Sequence, residues 1–104
     1  FLFRNLGDGR FREIGLEAGV ALRDDGAPIA GMGVDFRDYN NDGAPDLIVT
    51  GMINDTFLLF RNLNQRWQFD DDRARTGLLL GTRQLTGWGA GFVDFDNDGW
   101  KDLF

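Results

Sequence analysis

Asp94-Phe95-Asp96-Asn97-Asp98-Gly99-Trp100-Lys101-Asp102-Leu103 and, earlier in the chain, Asp38-Tyr39-Asn40-Asn41-Asp42-Gly43-Ala44-Pro45-Asp46-Leu47 follow one pattern. Each stretch places an oxygen-bearing side chain at its first, third, fifth and ninth positions and glycine at its sixth. A hard divalent cation such as calcium takes six to eight oxygen ligands, and alternate residues of a tight loop can all point inward to supply them. The glycine permits the positive-φ bend that returns the ninth-position carboxylate to the ion. Without a cation the four carboxylates of the second loop would repel one another at close range. The loops therefore read as a pair of Ca²⁺ sites, and their pairing reads as a repeat.

The repeat extends beyond the loops. Asp94 follows Asp38 by 56 residues, and the same offset carries Gly31-Met32-Gly33 onto Gly87-Trp88-Gly89 and Phe36 onto Phe92. Leu2-Phe3-Arg4-Asn5-Leu6 recurs as Leu59-Phe60-Arg61-Asn62-Leu63 at an offset of 57, so one residue is gained or lost between. A period of this size signals a solenoid, propeller or array. Within one period four short strands are expected: about Gly31–Arg37, Asp46–Thr50, Thr56–Arg61 and Arg66–Phe69, with Arg10–Ile14 as the counterpart of the last in the preceding repeat. Gly7-Asp8-Gly9 is a turn signal favouring an antiparallel hairpin. Stretches 15–30 and 70–85 suit connections, and Glu13–Ala21 allows one helical turn, limited by its glycines.

Four antiparallel strands per period is the pattern of a β-propeller blade. The expected fold class is all-β: a fragment of a β-propeller built from four-stranded antiparallel blades with calcium loops. On this division residues 1–27 hold the end of one blade and a connection, 28–84 one full blade and a connection, and 85–104 the start of the next. The chain opens on Phe1 and stops just after the second loop, so it is expected to be a piece of a longer protein whose remaining blades are its first partners.

Composition narrows the function classes. The 104 residues are 42% hydrophobic and 13% aromatic, enough for a core. No apolar run reaches the roughly 18 residues of a membrane span, so no direct membrane insertion is expected. The net charge of −6 comes from 17 acids against 11 bases, and about eight of the acids lie in or beside the two loops. An acidic chain with no basic patch argues against nucleic acid as a partner. With neither cysteine nor histidine, the chain holds no thiol nucleophile, disulfide, Cys/His zinc site or histidine base.

These residues resemble the FG-GAP/VCBS repeats of integrin α-subunit propellers and of many secreted bacterial proteins. The likeness is carried by Leu2–Phe11, by Glu17-Ala18-Gly19, and by Gly87–Val93 with the Asp94–Leu103 loop. More narrowly, Asp46–Asn62 and Leu85–Phe104 in this order resemble bacterial proteins related to cartilage acidic protein, which carry an ASPIC/UnbV segment further along. The resemblance implies a seven-bladed propeller, exported from the cytoplasm to an extracellular or periplasmic location, with calcium between the first two strands of a blade. It also implies ligation by side chains at positions 1, 3, 5 and 9 and by the backbone carbonyl at position 7. Those positions are Asp38, Asn40, Asp42, Asp46 and Ala44 in the first loop, and Asp94, Asp96, Asp98, Asp102 and Trp100 in the second. Asn40 departs from the pattern; an amide oxygen coordinates without adding charge, so the first site is expected to be the weaker.

Other readings compete. An Asx-rich surface turn needs no metal. An EF-hand fails because its twelfth position would be Val49 and the run is β-rich. Paired carboxylates serve glycosidases, but acids in metal-loop spacing make poor proton shuttles when saturated with Ca²⁺, so the chain is not expected to be an enzyme. Trp88 and Phe92 are expected to pack between blades, with the ring of Trp100 pointing outward. Arg4 and Arg61 are expected to anchor blade edges, and Asp70-Asp71-Asp72 to be a solvated connection. The expected function is a calcium-stabilised, rigid extracellular platform for adhesion or for protein or carbohydrate recognition. The rival is a scaffold or substrate-binding accessory domain of a secreted enzyme.

Overall fold

A computed structural model describes residues 1–64 and 67–104. It is an all-β arrangement of three antiparallel sheets with one short helix among the described residues. Strands β1 (Phe3–Asn5) and β2 (Phe11–Glu13) form a hairpin, with Phe3 opposite Glu13 and Asn5 opposite Phe11. The Gly7-Asp8-Gly9 turn joins them, both glycines at positive φ. Strands β3 (Val34–Arg37), β4 (Asp46–Val49), β5 (Leu58–Asn62) and β6 (Phe69–Asp71) follow as a meander in which each strand pairs with the next. Strands β7 (Phe92–Val93) and β8 (Asp102–Leu103) make the last pair.

Alternation builds the core. Phe36 lies opposite Leu47, and Leu47 opposite Phe60, so one face of the meander carries an apolar row, to which Val49, Leu58 and Phe69 add. Successive side chains of a strand point to opposite faces, so the intervening Ile48 and Leu59 lie on the other face, and both are buried too. The two central strands are thus apolar on both sides. Ile14, Ala18 and Val20 cover the first face from the connection before β3. That connection contains the one expected helical turn (Ala18 N to Ile14 O, 2.8 Å), ended by Gly19 at φ 81°.

The expected strands hold in number and order, with shifted ends. β3 is shorter than Gly31–Arg37, although Met32 N still reaches Thr50 O at 3.0 Å and Thr50 N reaches Gly33 O at 2.9 Å. β5 begins at Leu58 because Thr56 is turned into the left-handed region at φ 59°. The fourth strand is displaced toward the C-terminus, to Phe69–Asp71; Arg66, its expected start, lies outside the described residues.

That displacement corrects the reading of the aspartate run. Asp70 is exposed, opposite Arg61 in the β5–β6 register, but Asp72 is buried and Asp71 is covered by Arg73, itself buried. Arg73 Nε lies 3.0 Å from Asp71 Oδ2, and its Nη1 donates to Thr56 Oγ1 at 3.0 Å. Asp71 and Asp72 thus belong to a largely buried ionic seam, and of the run only Asp70 is solvated as expected. The stretch after it also contains an unexpected helical turn, α1 (Leu78–Gly81), against β5. Gly77 precedes it at φ 83° with no side-chain cap.

Trp88, expected to pack between blades, is 79% exposed among the described residues. Its flanking glycines make the close contacts instead. A Cβ on Gly87 would meet Phe57 Cζ at 2.6 Å, and one on Gly33 would meet Gly89 Cα at 2.6 Å. Phe92 does lie between sheets, its ring stacked on Tyr39 at 6.2 Å.

Candidate metal loops

The first acidic loop joins β3 to β4 and the second joins β7 to β8, and they share one hydrogen-bond scaffold. In the first, Asp38 accepts from the backbone amides of Asp42 (3.1 Å) and Gly43 (2.8 Å). In the second, Asp94 accepts from Asp98 (3.0 Å) and Gly99 (3.0 Å). Asn40 and Asp96 each accept from the amide two residues on, at 2.9 and 3.1 Å. Asp42 accepts from Ala44 at 2.9 Å, and Asp98 from Trp100 at 2.8 Å. The ninth-position carboxylates reach back to the second residue of the loop: Asp46 to Tyr39 N at 3.1 Å, Asp102 to Phe95 N at 2.9 Å.

Backbone conformation repeats as well. The sixth-position glycines stand at φ 91° (Gly43) and 93° (Gly99), where an L side chain would be strained. The fourth-position asparagines, Asn41 and Asn97, stand at 58° and 61°. The sequence reading did not use these asparagines, yet the signal was present, since asparagine tolerates the left-handed region better than most residues.

The acids converge most tightly in the second loop. Asp94, Asp96 and Asp102 each offer an oxygen, and the three oxygens lie within 4.8 Å of one another. Asp98 stands outside that group, with Oδ1 engaged by the Trp100 amide. The donor set suits a hard cation: carboxylates only, converging where like charges oppose each other. Asp94 is half-buried, while Asp96, Asp98, Trp100 and Asp102 are exposed.

The first loop is more enclosed. Asp38 and Asn40 are half-buried, Asp42 is exposed, Ala44 is buried, and Asp46 has no exposed surface. Asn62, ending β5, locks this loop: its amide donates to Asp46 Oδ1 at 2.8 Å and its side chain to Pro45 O at 3.1 Å. Burial pushes the Asp46 carboxyl above its ordinary range; the amides of Asn62 and Tyr39 oppose this, and the charges of Asp42 and Asp38 add to it. A cation in the loop would reverse that shift, because a nearby positive charge favours the ionised carboxylate.

Residues outside the loops tie them together and to the sheet. The Asn41 side chain donates to the Gly99 carbonyl at 3.1 Å, joining one loop to the other. The Tyr39 hydroxyl donates to Asp72, which also accepts from Arg75. Burial and the negative Asp72 beside it raise the Tyr39 hydroxyl's proton affinity, whereas Arg75 first, and Tyr39 with it, hold the Asp72 carboxyl below the ordinary range. Of the arginines expected at blade edges, Arg4 lies 5.5 Å from the Trp67 ring centre, and Arg61 Nε has no hydrogen-bond partner among the described residues.

A cleft of about 280 Å³ opens where β4 runs into β5, beside Arg23, Asp55, Arg73, Leu79 and Arg83. Two of its arginines are already engaged, Arg23 with Asp25 and Asp55, and Arg73 with Asp24. Among the described residues no helix is long and apolar enough to cross a membrane.

The FG-GAP-like repeat family model matches residues 38–104, from the first residue of the first loop through the second loop. No curated protein and no solved structure matches the chain.

Proposed function

This chain belongs to the FG-GAP-like repeat family, and we propose that its two acidic loops bind Ca²⁺ as structural sites of a β-propeller. The observation that carries this reading is the duplicated scaffold: the same amides meet the same acceptors in both loops, and three second-loop carboxylates converge within 4.8 Å. The side chains of Asp38, Asn40, Asp42 and Asp46, with the Ala44 carbonyl, would hold one ion. Those of Asp94, Asp96, Asp98 and Asp102, with the Trp100 carbonyl, would hold the other. Bound there, each ion neutralises the loop and pins the turn between two strands, which fixes the angle at which they leave it.

In this reading residues 28–84 form one blade, residues 1–27 close the blade before it and residues 85–104 open the next. A site with a Kd of roughly 10⁻⁵ M would stabilise the fold by about 2.7 kcal/mol at millimolar calcium. That calcium level belongs outside the cell, so we place the protein in an extracellular or periplasmic setting. There the propeller is a non-catalytic, rigid platform for adhesion or for recognition of a protein or carbohydrate. The narrower kinship with ASPIC/UnbV-associated bacterial proteins rests on residues 46–62 and 85–104.

Calorimetric titration of the chain with CaCl₂ tests the proposal. Two binding events are expected in the wild type and one in Asp94→Ala. A folded wild-type sample that takes up no calcium would overturn it.

A further inference from the structure

The two loops touch each other, and nothing in either loop alone requires that. Asn41 sits between two candidate ligands, Asn40 and Asp42, and its side-chain amide ends on the Gly99 carbonyl, 3.1 Å away and 58 residues on. Gly99 in turn sits between Asp98 and Trp100, with its amide on Asp94 at 3.0 Å. A second link runs beneath the first. The Tyr39 ring stacks on Phe92, nearly parallel at 13°, and the Phe92 amide donates to Asp35 of β3 at 2.9 Å.

From these contacts we propose that the loops form one cooperative calcium unit, in which filling either site raises the affinity of the other through Asn41–Gly99 and Tyr39–Phe92. The proposal rests on the calcium reading of the loops given above. Mutually repelling carboxylates work against the hydrogen-bonded form of each loop, and binding an ion must overcome the entropy of holding the loop in it. When an ion fixes the first loop, Asn41 is fixed with it. The Gly99 carbonyl then has a stationary donor, and the peptide leading to Trp100, whose carbonyl is the seventh-position ligand, is held in place. The second ion meets a loop with less disorder to lose, which is positive cooperativity through ordering. Linkage makes the effect reciprocal.

The first loop is the organiser. Asn62 of β5 locks it through two hydrogen bonds, whereas Asp102 accepts only the Phe95 amide among the described residues. Order therefore passes from a loop anchored in a four-stranded sheet to a loop between two-residue strands.

The Gly43 and Gly99 amides report on the two loops separately, so a ¹⁵N–¹H titration with CaCl₂ resolves each site. Asp102→Asn weakens the second loop by removing one ligand charge while leaving an oxygen for the Phe95 amide, and is expected to weaken binding at Gly43 about fivefold. Asn41→Gly removes the linking amide without straining the positive φ, and in that background, with Tyr39–Phe92 still in place, Asp102→Asn is expected to weaken the Gly43 affinity by less than it does with Asn41 present. Identical Gly43 affinities in wild type and Asp102→Asn, with both glycines responding in the wild type, would overturn the coupling and leave the calcium sites standing. Should Asp102→Asn unfold, the wild-type curves decide: coupled loops give steeper curves than a single-site isotherm, and independent loops do not. If neither glycine responds in a folded wild type, the calcium reading falls and the coupling with it.

Discussion

Gly33 and Gly89, equivalent residues of successive repeats, meet backbone to backbone: a Cβ on Gly33 would lie 2.6 Å from the Gly89 Cα and 2.8 Å from Thr50 Oγ1. The contact is one-sided, since a Cβ on Gly89 would meet nothing within 4 Å. Gly33 is also pinned by its amide on Thr50 Oγ1 at 2.8 Å. The repeat thus places a glycine where one sheet crosses the start of the next, and only the earlier copy lacks room for a side chain.

Gly33→Ala should therefore destabilise the fold by about 1–3 kcal/mol, the range for overpacking a close contact. Gly89→Ala should stay within about 0.5 kcal/mol of wild type. Urea unfolding of both variants at fixed calcium checks the contrast, and equal midpoints would contradict the crossing seen here.

Asp72 sets a pH dependence. Arg75 and the Tyr39 hydroxyl lower its carboxyl below the ordinary range, so the folded protein binds that proton less tightly than the unfolded chain. The stabilisation is complete above the ordinary carboxylate range and fades as the pH falls through it toward the lowered folded value. Asp72→Asn should flatten this part of the acid limb, and Tyr39→Phe should cost about 1 kcal/mol at neutral pH through the lost hydrogen bond. Unfolding curves at a series of pH values in chelator, compared with wild type, separate Asp72 from the remaining acids.

Asp102 should show opposite consequences in the two metal conditions. In chelator, Asp102→Asn removes one of three converging like charges and keeps an acceptor for the Phe95 amide, so stability should hold within about 0.5 kcal/mol or rise. With millimolar calcium the variant should lose part of the gain that the second loop contributes, because its ninth-position ligand no longer carries a charge. Paired thermal melts of variant and wild type with and without calcium read both effects.

Much of this was legible from residue types. The acidic loops were readable because both metal ligation and the bend admit few residues: oxygens at alternate positions and glycine at φ near 90°. The order of the strands followed from the apolar Leu47-Ile48-Val49 and Phe57-Leu58-Leu59-Phe60 runs, separated by the turn-forming Gly51 and Asn54-Asp55. β6 was misplaced because Phe69 is its only apolar residue; cross-strand pairing with Phe60, Arg61 and Asn62 positions it, and that is a tertiary fact. For the same reason the aspartate run looked solvated: Tyr39, which donates to Asp72, lies next to it only in the fold, and Arg73, a sequence neighbour, is buried against Asp71 and Thr56 only once the sheet forms. α1 carries no side-chain cap to announce it. Around Trp88 the close contacts are backbone contacts, which only its flanking glycines allow.

The central claim is that the loops bind calcium as part of the fold, and thermal unfolding in calcium against excess chelator tests it most directly. The account predicts a melting temperature that climbs with calcium concentration as the logarithmic binding relation requires, and that is much less responsive to equal magnesium, which demands a tighter octahedral site. A folded protein whose melting temperature is the same in millimolar calcium and in chelator would contradict it.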